Sequence, residues 1–150
     1  MVTHEQIRRE GIKSLSFKQP YAAMMLFGKM ETRTWNTSYR GPVLICASKK
    51  SYNLQQVLEI SWEFNYDTIR LNYDIYPEIF NHEGKAFAVG RLVNVRKMKE
   101  SDETKAFVKF NPDLYVHIYE DVHLIKPFEW KGSLGYHDVS QEFINKIIYK

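Results

Sequence analysis

Residues 15–50 read LSFKQPYAAMMLFGKMETRTWNTSYRGPVLICASKK, and the period of the apolar residues changes several times within this stretch. With the three residues ahead of it, 12–17 (IKSLSF) has the alternation of a strand, with Ile12, Leu15 and Phe17 available to a core. Pro20 stands where a helix accepts proline, in its first turn, and 21–27 (YAAMMLF) is an apolar run that Gly28 can end as a C-terminal cap. A short buried helix is expected there. Residues 31–35 (ETRTW) read as a short strand or extended loop, in which period 2 places Glu31, Arg33 and Trp35 on one face and Thr32 and Thr34 on the other. Gly41 and Pro42 turn the chain into 43–48 (VLICAS), an apolar run of strand length that Lys49 and Lys50 follow.

Working outward, 53–64 has Leu54, Val57, Leu58 and Trp62 at helical spacing behind Asn53 as N-cap, which predicts an amphipathic helix. Residues 65–84 are acidic, aromatic and interrupted by Pro77, and are expected to be a surface insertion without fixed structure. Residues 85–98 alternate as a long strand with a bulge at Gly90. A second long strand is expected at 114–125, with Val116, Ile118, Val122 and Leu124 toward the core and His117, Tyr119, Asp121 and His123 on a solvated face. Ser140 caps a C-terminal helix predicted over 141–149. No repeat or Gly/Ser-rich linker divides the chain, so 1–150 reads as one domain. The fold class is α+β: about five or six strands, too few for a large sandwich, with short helices packed on them.

The 150 residues are 44% hydrophobic and 15% aromatic, enough for a filled core and too much for a disordered chain. The net charge of +3 hides an asymmetry: residues 1–50 hold 9 basic and 3 acidic side chains, 51–84 hold 1 and 6, and 85–150 hold 11 and 9. So basic a first third suits an anionic partner such as nucleic acid; a solvated basic face without a partner is the alternative. Cys46 is the single cysteine, which excludes an intrachain disulfide and suits a reducing compartment. Residues 1–11 are too polar for a secretory signal, and no apolar run approaches the roughly 18 residues that span a bilayer. A soluble, cytoplasmic protein without a membrane partner is expected. No cofactor and no metal site are expected either: no Cys/His cluster has zinc-ligand spacing, and His117 and His123 lie about 20 Å apart along an extended strand. The absence of a Gly-rich phosphate loop, an HExxH and a serine elbow argues against nucleotide hydrolysis, zinc peptidase and esterase chemistry.

Lys18, Gln19, Tyr21, Lys29, Glu31, Arg33, Trp35, Tyr39, Arg40, Lys49 and Lys50 interleave cations with rings. Cations neutralise phosphates and flat groups stack on unpaired bases, so the mixture suits single-stranded or splayed nucleic acid. The competing reading pairs Arg33 with Glu31 and lets Trp35 and Tyr39 fill a small satellite core.

The order L-S-F-K-Q-P-Y, G-K, E-T-R-T-W, Y-R-G-P-V-L-I and A-S-K-K, followed by GKAFAVGRLVNV at 84–95 and FEWKGSLGYHDV at 128–139, resembles the ASCH domain. This is the activating-signal-cointegrator homology module of the PUA-like superfamily, and the resemblance spans roughly 12–139. It implies a small PUA-like β-barrel of about five to six strands with flanking short helices, a cleft on one side, and RNA, or another nucleic acid such as DNA, as partner. Carried over, the family's cleft positions fall on Lys18, Gln19 and Pro20 and on Glu31, Arg33 and Trp35, with Tyr39, Arg40 and 48–50 beside them. Glu31 would accept from a base edge, or act with Lys18 as a catalytic pair if its pKa is shifted; a salt bridge holding the loop is the plain alternative. Some relatives resemble amidohydrolases of N4-acylated cytidines that use a Lys, a Thr and a Glu. Lys29 and Thr32 are the residues available for those roles, although the loop here is shorter and Arg91 stands where many members show an acid. Other relatives are ribonucleases, for which Lys18, Tyr39 and Lys49 have suitable chemistry. A third reading, from a different class, makes 65–84 a protein-interaction surface.

Overall fold

A computed structural model of the chain describes residues 1–61 and 63–150. Thr3 and Gln6 form a reciprocal capping box at the start of α1 (His4–Glu10). The chain then runs through β1 (Lys13–Phe17), α2 (Tyr21–Met24) with a 3₁₀ turn Met25–Phe27, β2 (Glu31–Arg33), β3 (Gly41–Ala47), α3 (Leu54–Ile60) and α4 (Glu63–Ile75). A 3₁₀ turn Pro77–Phe80 leads into β4 (Lys85–Lys97). The turn Glu100–Asp102, α5 (Glu103–Ala106), β5 (Tyr115–Glu129), β6 (His137–Asp138) and α6 (Gln141–Ile144) complete the chain.

The strands form one six-stranded sheet in the order β2-β5-β4-β3-β1-β6, curled into a half-barrel. β1 and β3 pair in parallel, whereas the other pairs are antiparallel. All seven residues of β3 are buried, because both faces of this inner strand are covered and its sequence is correspondingly an unbroken apolar run. Strand alternation sends Val43, Ile45 and Ala47 to one core, with Leu15, Phe17, Phe87 and Leu92. It sends Leu44 and Cys46 to the other, with Ile7, Ile12, Val89, Ile125 and Ile147. In β4 the alternation breaks: Phe87 and Ala88 both face the first core, where the register with β5 shifts between Ala86 and Ala88. The bulge expected at Gly90 is present as a further shift between Val89 and Arg91.

Four expectations need correction. The helix expected over 53–64 ends at Ile60, and Ser61 is extended. Ser61 hydrogen-bonds the Tyr21 hydroxyl and donates to the Phe107 carbonyl, which ties it into the interior in place of another helical turn. Trp62, assigned to that helix's apolar stripe, lies outside the described residues, and Leu54 and Leu58 are exposed. Residues 65–84 are ordered as most of α4 and the turn Pro77–Phe80, with Ile69, Ile79 and Phe80 packed on Tyr21, Met24 and Val57 in a third cluster. On β5, His117 and Tyr119 are buried and not solvated, since the segment around Tyr136 covers that face. Last, α6 stops at Ile144; the chain then folds back so that Tyr149 bridges Ile125 and Ile147 enters the second core. Among the described residues, no helix is long and apolar enough to cross a membrane.

Candidate functional site

The helical turn after β1 ends at Gly28, whose φ of 86° reverses the chain in a conformation that favours glycine. Lys29 therefore points back into the protein, and β2 starts two residues later. The Lys29 Nζ donates to the Met30 carbonyl at 2.8 Å and to Glu31 Oε1 at 3.2 Å. Oε1 also accepts from the Thr32 amide, while Arg33 Nη2 donates to Glu31 Oε2 at 2.9 Å and to the Ser16 carbonyl at 2.8 Å. The side chains of Lys29 and Glu31 are 2% and 11% exposed, and that of Arg33 is 21% exposed. Burial alone would raise the Glu31 carboxyl, but Lys29 and Arg33 outweigh it and hold Glu31 below the usual carboxylate range. Burial pulls the Lys29 ammonium below its ordinary value, with Glu31 opposing.

This triad forms the floor of a cleft of about 720 Å³. Tyr21, Tyr52 and Trp130 supply aromatic wall, and Ser16, Ser48 and Ser133 supply hydroxyls. Lys18, Lys49 and Lys131 also line it; all three are exposed and none has an ion pair among the described residues. Lys18 lies over the Tyr52 ring at 4.9 Å. The far wall is the irregular segment 130–134. Trp130 anchors it through its amide to the Gly84 carbonyl and through its ring against Phe143. A Cβ at Gly132 would stand 2.6 Å from the Ser16 Oγ, so any larger residue would force the Ser16 hydroxyl to turn away where this wall meets β1.

Beside the triad, Glu31 pairs in register with His117. The His117 Nε2 donates to the Trp35 carbonyl at 3.2 Å, so its Nδ1 accepts from the Tyr136 hydroxyl at 3.0 Å and Tyr119 donates to Tyr136 at 2.6 Å. Burial lowers the His117 pKa, in keeping with a neutral ring held by this chain of hydrogen bonds. The network pins the segment carrying Tyr136, and with it the 130–134 wall, onto the sheet.

Of the residues singled out from sequence, Lys18, Tyr21, Lys29, Glu31, Arg33 and Lys49 meet at the cleft. Gln19 does not: its amide donates to the Ile79 carbonyl and accepts from the Ala23 amide, fixing the turn from the inside. Trp35 stacks edge-on with His117 and Tyr136. Tyr39 donates to the Pro42 carbonyl, and Arg40 to the Thr37 and Tyr39 carbonyls. Lys50 is exposed outside the lining. Arg91 makes a two-pronged pair with Glu10 at 2.8 and 2.9 Å. Sequence reasoning missed Tyr52, Trp130 and Lys131. The signal for the last two was the W-K-G of the 128–139 motif, in which a ring and a cation precede the glycine of the close approach.

No protein-family model matches the chain, and no curated protein is significantly similar to it.

Proposed function

We propose that this chain is an ASCH-like, PUA-like module that binds nucleic acid, RNA foremost, in the cleft floored by Lys29, Glu31 and Arg33. The observation that carries the reading is the set of three lysines, Lys18, Lys49 and Lys131, that have no ion pair among the described residues and surround a cleft walled by Tyr21, Tyr52 and Trp130. Ammonium groups neutralise phosphates, and the half-buried rings of Tyr52 and Trp130, rather than the buried Tyr21, keep surface on which bases out of a duplex can stack. The triad beneath supplies fixed donors and acceptors at the depth a base edge would reach. DNA shares this chemistry and is the natural competitor. A reducing, cytoplasmic setting suits the single, buried Cys46.

Filter binding with single-stranded and duplex RNA tests the reading, with Trp130→Ala and Lys49→Ala beside the parent protein. Single-stranded RNA should bind tighter than duplex, and Trp130→Ala should narrow the gap, stacking on a ring being worth about 1–3 kcal/mol per base. Equal affinities for both forms, untouched by either variant, would contradict it.

A second reading is favoured by one observation, the buried Lys29 with its lowered pKa beside Glu31 and Thr32 in the cleft. These residue types suit hydrolysis of an N4-acylated cytidine, with Lys29 or Glu31 moving the proton. Turnover of such a nucleoside, lost in Glu31→Gln and in Lys29→Met, is the expected signature; no turnover by the parent protein rejects it.

A further inference from the structure

We infer that the groove between α3, α4 and the turn Pro77–Phe80 docks a basic, amphipathic helix of a partner protein. The groove encloses about 490 Å³, with Val57, Ile69 and Phe80 at its base and Leu54, Tyr73 and Tyr52 along its sides. Buried residues form the base, but the rim is apolar and open. Leu54, Leu58, Leu71, Tyr73, Ile75 and Tyr76 are six of the eleven large hydrophobic residues that stand exposed among the described residues; all six belong to α3, α4 or the residue after it, and Leu54 and Tyr73 line the groove itself. Such a concentration marks an interaction surface, whereas scattered exposed side chains would not.

Charge selects the occupant. Residues 51–84 carry six acidic side chains and one basic one, Arg70. Asp74 and Glu83 line the groove itself together with Arg70; Glu83 accepts from the Ser51 hydroxyl, and neither carboxylate, nor Asp67 and Glu78 elsewhere in the segment, has an ion pair among the described residues. An apolar channel edged by two carboxylates and one guanidinium, in a segment whose balance is five negative charges, complements a helix with an aliphatic stripe flanked by Lys and Arg. Leu54 with Val57 on α3, and Ile69 with Tyr73 on α4, are spaced three and four apart along the groove, as ridges that receive a third helix. The groove is separate from the RNA cleft, sharing only Tyr52 as a wall, so the two surfaces can be tested apart.

The probe is a fluorescein-labelled peptide of roughly four helical turns, with Leu at i, i+3, i+4 and i+7 and Lys elsewhere. It is compared by anisotropy with the same peptide bearing Glu for Lys and with a scrambled order. The Lys peptide should bind at least about tenfold tighter than either control. Tyr73→Ser, a change at an exposed ring, should weaken it about tenfold, and Asp74→Lys should shrink the preference for Lys over Glu. Binding of RNA should be unchanged by Tyr73→Ser. Equal binding of the Lys and Glu peptides, or a Lys-peptide affinity indifferent to Tyr73→Ser, overturns the inference. So does self-association in sedimentation that Tyr73→Ser abolishes, which would assign the groove to a second copy of this chain.

Discussion

Glu31 is held from both sides, by Lys29 through one carboxylate oxygen and by Arg33 through the other. Breaking a buried pair by removing one partner leaves a charge uncompensated and typically costs about 3–5 kcal/mol. Glu31→Gln strands both cations and should fall in that range by urea unfolding, whereas Lys29→Met should cost less because Arg33 still pairs with Glu31. Acid unfolding reports the same residues. The Arg91 hydrogen bond lowers Glu10, the Arg96 hydrogen bond lowers Asp102, and Lys29 and Arg33 overcome burial to lower Glu31. Each carboxylate thus stabilises the fold above its ordinary value of 4.5 or 3.8, and the contribution is lost as pH falls through the lower native value. Stability should decline below about pH 4.5, more gently in Glu31→Gln. Period 2 places Glu31 and Arg33 on one face and leaves open whether they pair or line a cleft. They do both, a result set by what Gly28 turns inward rather than by β2 itself. His117 was illegible for a related reason: alternation assigns it to the second face of β5, and only the distant Tyr136 makes that face an interior. Tyr136→Phe leaves the His117 Nδ1 without its donor and should cost about 1–3 kcal/mol in the same unfolding measurement.

At the scale of elements, strands were easier to read than helices. β3 announces itself as an unbroken apolar run because the sheet covers it twice, and the bulge at Gly90 follows from a glycine inside an alternating pattern. The structure gives that glycine a reason, since a Cβ there would meet Val122 Cγ2 at 2.8 Å and the Glu120 carbonyl at 3.4 Å. Gly90→Ala should therefore overpack the β4–β5 bulge and lower stability by about 1–3 kcal/mol, visible as a lower Tm with the sheet's far-ultraviolet signature retained. The helical region from 53 to 84 was less legible. Its polar, aromatic composition hides the few positions that bury, Val57, Ile69, Ile79 and Phe80, and no local pattern shows that Ser61 is tied to Tyr21 and Phe107.

For the whole molecule, the uneven charge of the sequence becomes a division of surfaces. The basic first third contributes Lys18, Lys29, Arg33 and Lys49 to one cleft, and a fourth lysine, Lys131, arrives from the distant 130–134 segment. The acidic 51–84 borders a separate apolar groove across Tyr52. Half of the cleft was therefore readable from one contiguous stretch. The other half was not, because curling the sheet brings together residues more than a hundred positions apart. The central claim is that Lys18, Lys49 and Lys131 bind phosphates of a single strand, and the salt dependence of RNA affinity tests it most directly. Log K against log salt should fall linearly for the parent protein, and replacing the three lysines with alanine should reduce the slope by about 2, at about 0.7 per phosphate contact. A slope near zero in the parent protein, or one that the triple substitution leaves unchanged, would contradict the account.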